Sequence, residues 1–228
     1  MTRVLVRRFA VLTRLARLRR GGAEPLWPPV VAVLAILLLQ LTLAEQLTVG
    51  PNWLVPLLEV GLLVPFSLAA LRHRARETAP SRLFNVALIA LINLFNLFSL
   101  LLLLQALLRG GAADGVTLLE NALKLWVTNV IGFALWYWEL DRGGPWRRQR
   151  RVPRQPDFLF PQMNLAGAAA WTPDFADYLF VSFTNAAAFS PTDTLPLTGR
   201  SKMLMMTQAF ISLVTVALVA SRAVNILK

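Results

Sequence analysis

The sequence predicts an all-α, polytopic membrane protein with about five transmembrane helices and one shorter, re-entrant half-helix. The chain has 228 residues, and 56% of them are apolar. The apolar residues are grouped in long blocks, several of which exceed the roughly 18 uncharged residues typical of a membrane-spanning helix. The arginines lie at the ends of these blocks, where a spanning helix meets the lipid headgroups.

The composition also excludes several classes of function. A net charge of +11 suggests nucleic-acid binding in a soluble protein. Because the arginines here flank apolar blocks, we predict a bilayer with anionic headgroups as the partner and no nucleic acid. The chain has no cysteine and a single histidine, His73. We therefore predict no disulfide, no metal site and no cofactor.

The distribution of apolar blocks predicts four regions. Residues 1–24 are predicted to form a basic amphipathic helix. They contain seven arginines, and their one acid is Glu24, near the end of the region. A signal peptide is the alternative for this region, but the basic part is too long and no small-residue cleavage site follows. Residues 25–141 hold four transmembrane helices, residues 142–172 a basic, proline-rich connecting loop, and residues 173–228 a terminal module.

The four transmembrane helices are predicted at residues 26–44, 54–71, 83–108 and 118–140. Glu59 lies inside the second of them, so its carboxylate must face protein or water instead of lipid. Asn93 and Asn96 share one face of the third helix. We predict that they hydrogen-bond to a neighbouring helix, and a role in a pore is the alternative.

The fourth helix ends in the sequence WYWELDRGGP. Its aromatic residues, 136–138, are predicted to lie at the membrane interface as an aromatic belt. The charged residues that follow, Glu139, Asp141 and Arg142, are predicted to form a salt-bridged joint, with part of a functional site as the alternative. The connecting loop is non-periodic, and we predict that it docks through Phe158, Leu159, Phe160 and Met163.

Arginine-rich and arginine-poor segments alternate along the chain. The N-terminus and residues 72–82 and 142–154 are rich in arginine, whereas residues 45–53 and 109–117 are poor in it. The positive-inside rule therefore places the N-terminus in the cytoplasm and returns the chain there after the fourth helix. We predict a multi-pass protein of the plasma or inner membrane.

The terminal module begins with a helix at residues 174–188. Fifteen residues cover about 22 Å, less than the roughly 30 Å of a hydrocarbon core, so a re-entrant segment is favoured over a fifth span. Its C-terminal end and the following turn are rich in oxygen-bearing side chains, which together with the helix dipole favour a cation. The candidate pore or selectivity residues are Thr184, Asn185, Phe189, Ser190, Pro191, Thr192, Asp193 and Thr194.

The last helix, predicted at residues 203–227, carries a polar stripe on one face. The stripe follows helical spacing and consists of Gln208, Ser212, Thr215 and Arg222. One interpretation is that these residues line a pore. The alternative is that they hydrogen-bond to a neighbouring helix.

Residues 182–200 resemble the pore loop of two-helix potassium-type channels. In that family a serine in the pore helix precedes an acid by eleven positions, as Ser182 precedes Asp193 here. A proline follows the acid by three positions, matching Pro196, and a Gly-Arg pair opens the inner helix, matching residues 199–200. The resemblance implies a pore-loop scaffold and a homo-oligomer.

The potassium filter itself is missing from this loop. The filter positions fall on residues 187–192, whose sequence AAFSPT lacks both glycines and has Pro191 in place of the tyrosine. Because the filter needs glycine dihedrals to aim successive carbonyls inward, potassium selectivity is excluded. Potassium-type channels also insert this loop from outside, and an inverted loop, as in ionotropic glutamate receptors, would fit the arginine distribution. The motifs WYWELDRGGP, FPQM and SFTNAAAFSPTDTLPL look like an uncharacterised family of bacterial multi-pass membrane proteins, which implies no activity.

The sequence thus favours an ion-channel-like homo-oligomer, and a tetramer is preferred. Its pore conducts inorganic ions but is not selective for potassium. A ring of Asp193 favours cations, whereas the arginines near the mouths favour anions, and we expect cations. The alternative is a non-conducting accessory membrane subunit or scaffold. An enzyme is not expected, because Glu59 is isolated, His73 lies in a loop, and no metalloprotease or serine-hydrolase motif is present.

Overall fold

The computed structural model describes residues 25, 27–48, 51, 53–61, 79–108, 115–149, 154–165, 171–188 and 193–226. The predicted N-terminal amphipathic helix at residues 1–24 lies outside these residues. So do the second half of the second predicted span and residues 189–192 of the polar turn.

The described residues are mostly helical, which confirms the all-α prediction. The helices are α1 (Trp27–Leu41), α2 (54–61), α3 (Ala79–Leu108), α4 (Gly115–Leu140), α5 (Pro145–Gln149), α6 (Phe175–Ala188) and α7 (Gly199–Ile226). Short 3₁₀ turns follow α1 and α4 and interrupt the connecting loop, at Glu45–Leu47, Asp141–Gly143 and Pro161–Asn164. Two-residue strands, β1 (Phe158–Leu159) and β2 (Leu195–Pro196), pair antiparallel.

Among the described residues, three helices are long and apolar enough to cross a membrane. These segments are Arg82–Leu108 in α3, Gly115–Gly143 in α4 and Gly199–Ala220 in α7. Helix α1 is shorter than the predicted span at 26–44, because it has 15 residues and therefore covers only about 22 Å. Five spans were expected, and the described residues support three.

Helix α4 is the centre of the bundle. It packs against α1, α3, α6 and α7, and 61% of its apolar window is buried, compared with 28% for α7. Tyr137 and Trp138, near its end, are 0% and 3% exposed. These two side chains therefore do not face lipid as those of an aromatic belt do, because they pack against the connecting loop, α6 and α7.

The connecting loop docks against the bundle through its aromatic residues, as predicted. Phe158 and Phe160 are buried, whereas Leu159 and Met163 are only partly buried. The Phe158 ring lies 5.1 Å from that of Tyr137, and the Phe160 ring packs edge-on at 5.4 Å from that of Tyr178. The β1–β2 ladder then fastens the loop to the residues that lead into α7.

Candidate functional site

Helix α6 is a half-length helix wedged between α4 and α7. Its 14 residues cover about 21 Å, which supports the prediction of a segment too short to span a bilayer. The start of α6 is stabilised by reciprocal bonds: Asp174 Oδ1 accepts from the Asp177 amide at 3.3 Å, and Asp177 Oδ2 accepts from the Asp174 amide at 2.8 Å. This is the geometry of a capping box, so the aspartates at 174 and 177 explain where the helix begins.

A hydrogen-bonded cluster joins α4, α6 and α7 around Gln208, which is fully buried. Its Nε2 donates to Ser182 O at 3.0 Å and Ser182 Oγ at 2.6 Å. Its Oε1 accepts from the Tyr137 hydroxyl at 2.5 Å and from Asn185 Nδ2 at 2.9 Å. Ser182 Oγ in turn donates to Val130 O at 2.6 Å. We call these residues (Val130, Tyr137, Ser182, Asn185 and Gln208) the Gln208 cluster.

The polar stripe continues along α7 into the same interface. Ser212 is 0% exposed, donates to Ala186 O at 2.6 Å and accepts from Trp126 Nε1 at 2.8 Å. Thr215, 1% exposed, donates to Ile211 O on its own helix. Gln208, Ser212 and Thr215 therefore lie inside the protein, which favours helix–helix hydrogen bonding over a pore lining within one chain.

The other candidate pore residues are distributed differently. Asn185 belongs to the Gln208 cluster, and Thr184 donates to carbonyls one turn earlier on α6. Asp193 is exposed, whereas Thr194 is buried. Phe189, Ser190, Pro191 and Thr192, together with the side chain of Arg222, lie outside the described residues.

A charged joint connects the end of α4, the connecting loop and the start of α7. Asp157, 2% exposed, accepts from Arg200 Nη2 at 2.9 Å, from Thr198 Oγ1 at 2.7 Å and from the Arg142 amide at 3.1 Å. Asp141 is also buried, and its Oδ1 accepts from the Asp157 amide at 2.7 Å. The prediction that the charges after the fourth helix form a joint agrees with this geometry.

The joint is closed by Tyr178 and Arg148. The Tyr178 hydroxyl donates to Asp141 Oδ2 at 2.6 Å. Arg148, 3% exposed, donates to Trp138 O at 2.6 Å and Asp141 O at 2.9 Å, so it satisfies carbonyls at the end of α4. Its guanidinium also lies 5.1 Å from the Tyr178 ring centroid, a cation–π contact.

Two members of the joint, Asp157 and Arg148, were missed by the sequence interpretation. Arg148 is one of several arginines in a basic run, and the pattern gives no reason to select it. Asp157 carried a usable signal, because it is the one acid in residues 143–173. A lone carboxylate in a strongly basic loop has many possible cationic partners and is a candidate for a buried ion pair.

Glu59 of α2 occupies a second buried polar region, next to α1. It is 0% exposed and accepts from Gln40 Nε2 at 3.0 Å, as expected for a carboxylate that avoids lipid. The prediction that Asn93 hydrogen-bonds to a neighbouring helix is wrong. It donates to Ile89 O on α3 itself, and its side chain instead covers Gly132 of α4, where an added Cβ would lie 2.9 Å from Asn93 Oδ1.

One cavity formed by the described residues is too small for a small-molecule ligand. A cavity of about 10 Å³ lies between α1, α3 and α4 and is lined in part by Gln40, Asn96 and Thr128. That volume is close to the minimum that holds one water molecule. Among the described residues, no three histidine, cysteine or acidic side chains come together as metal ligands.

Comparison with known proteins gives no relative from which a function can be transferred. The chain matches no family model, no curated protein and no solved structure at a significant level. A function must therefore be inferred from the Gln208 cluster and the charged joint themselves.

Proposed function

We propose that this chain is a multi-pass protein of the cell membrane that acts as a non-conducting accessory subunit or scaffold. The observation that carries the proposal is the direction of the polar stripe on α7. Gln208 and Ser212 are both fully buried and bond to α6 and α4 of the same chain. A residue that lines an aqueous conduit needs a water-facing side chain, and these two are already engaged within the protein.

The opposite face of α7 also supports this proposal. Its exposed large side chains recur every three to four residues, at Met203, Met206, Phe210, Leu213 and Val216. On α6, Phe180 and Phe183 are exposed in the same way. An apolar stripe of this kind suits lipid or a partner helix, and these five side chains of α7 carry no group that would stabilise a hydrated ion.

The charged joint gives such a scaffold a rigid end. Asp157 connects the loop to α7 through Arg200, and Tyr178 connects α6 to the end of α4 through Asp141. Three helices are thus fixed to one another at a single level of the bundle. A subunit that presents a fixed apolar surface to partners needs this kind of support.

A channel-like homo-oligomer, preferably a tetramer that conducts inorganic cations, is the second candidate. The observation in its favour is α6 itself, a short helix beside α7 whose C-terminal end leads to the polar turn with the exposed Asp193. In an oligomer that turn, and not the α7 stripe, would form the constriction. This candidate keeps the pore-loop resemblance and assigns the Gln208 cluster a supporting role.

Ion flux into liposomes that contain the purified protein separates the two candidates. The scaffold predicts no flux above that of protein-free liposomes, and a detergent-extracted particle with the mass of a monomer. Flux from the wild type that Asp193→Asn or Ser190→Ala changes in rate or selectivity would overturn it in favour of the channel. Glu120→Gln, which removes an exposed acid from α4, is the matched control and should have no effect.

A further inference from the structure

The charged joint holds more positive than negative charge. Three buried carboxylates at this end of the bundle each lie near an arginine: Glu139 lies 3.9 Å from Arg82, Asp141 lies 3.8 Å from Arg142, and Asp157 lies 2.9 Å from Arg200. Arg148 is occupied by backbone carbonyls and aromatic rings. Each of these carboxylates therefore has a nearby arginine other than Arg147 and Arg154.

Arg147 and Arg154 converge above the turn that follows α4. A Cβ atom added to Gly143 would lie 2.8 Å from Arg154 Nη1, 2.9 Å from Arg147 Cδ and 3.5 Å from Arg147 Nη1. Arg154 Nη1 and Arg147 Nη1 both lie within 3.5 Å of this one position, so the two guanidinium groups are close neighbours. Gly143 has a positive φ of 84° and no side chain, so it allows this approach.

Neither guanidinium has an acidic partner among the described residues. Both are accessible: Arg147 is partly exposed and Arg154 is exposed. Two like charges held together at a surface favour a shared anion. Arginine forks match the oxygens of a phosphate group, with hydrogen bonds of about 2.8 Å from each donor.

We propose that Arg147 and Arg154 bind the phosphate group of an anionic membrane phospholipid at the Gly143 turn. The turn directly follows α4, a helix long enough to cross a membrane, so it lies where headgroups would be. Negative surface potential of a leaflet attracts basic segments next to a spanning helix. The assignment is independent of whether the chain is a scaffold or a channel.

Lipid retention measures this binding directly. The full-length protein in uncharged detergent is titrated with phosphatidylglycerol, phosphatidylcholine or inorganic phosphate, and bound lipid is counted by native mass spectrometry. The wild type should retain phosphatidylglycerol in preference to phosphatidylcholine. Arg147→Gln and Arg154→Gln should each weaken that retention about tenfold, because each removes a charge-assisted donor pair.

Lys202→Gln is the matched control, because it removes one exposed positive charge at the start of α7. It should leave retention unchanged, and an equal loss in this variant would reduce the effect to general surface attraction and overturn the site. Should a glutamine variant fail to fold, Arg147→Lys with Arg154→Lys keeps the charge and removes only the fork. That pair should still lose affinity, and wild-type affinity would overturn the proposal. Displacement of the lipid by inorganic phosphate at equal concentration would assign the site to free phosphate instead.

Discussion

Gln208 has more hydrogen-bonding partners than its neighbours on α7. Its amide nitrogen and oxygen together bond to Tyr137, Ser182 and Asn185, on two other helices. Bonds between helices in a membrane protein contribute about 0.6 kcal/mol on average and up to about 1.7 kcal/mol. Several such bonds on one side chain make this glutamine a main determinant of how α6 and α7 pack.

Gln208→Met preserves most of the side-chain volume and removes every bond of the amide. We expect the free energy of unfolding to fall by about 2 kcal/mol, because the Tyr137 hydroxyl loses its acceptor in a buried place. The midpoint of unfolding by dodecyl sulfate in mixed micelles measures the change. Thr207→Val is the control: Thr207 is exposed and bonds only to Met203 O on its own helix, so its change should stay below about 0.5 kcal/mol. Equal effects in the two variants would contradict the role of the cluster.

At the scale of single elements, the sequence predicted where helices lie better than what they face. The limits of α6 were predicted to within one residue, because the Pro-Asp start and the length of the block are local signals. The stripe of Gln208, Ser212 and Thr215 was also predicted as one face of a helix. Its partner helices were not, because the 3.6-residue period places residues on a face without identifying the neighbour.

The connection between the loop and α7 gives a test at this scale. Asp157→Ala removes the acceptor for Arg200, Thr198 and the Arg142 amide, and leaves the last two as partly buried donors without that partner. We expect a loss of about 2–4 kcal/mol in the free energy of unfolding, most of it from these donors, because Arg200 is itself 45% exposed.

Glu120→Ala is the control for this experiment. Lys124 Nζ lies 2.8 Å from Glu120 Oε1, slightly closer than Arg200 Nη2 lies to Asp157 Oδ1, but the Glu120 side chain is 63% exposed. Its loss should change the free energy of unfolding by less than about 0.5 kcal/mol, since water and salt screen it. A larger loss for Glu120 than for Asp157, in the same unfolding assay, would refute the assignment of Asp157 as the link between the loop and α7.

At the scale of the whole molecule, composition predicted a helical bundle but not its centre. Helix α4 is central because it contacts α1, α3, α6 and α7, and nothing in its hydropathy distinguishes it as the helix with most neighbours. The buried Tyr137 and Trp138 follow from the same arrangement. Their position near a helix end is typical of an interfacial belt, and the packing of α6, α7 and the connecting loop over them places them inside.

The polar stripe of α7 faces the protein's own helices and not water. Because the chain has no cysteine, the variants Ser212→Cys and Lys202→Cys can each be treated in liposomes with a charged, water-soluble thiosulfonate. We predict rapid modification of the exposed position 202 and no modification of the fully buried position 212. Modification of the Ser212→Cys variant as fast as that of Lys202→Cys would mean that water reaches the stripe, and would contradict this account.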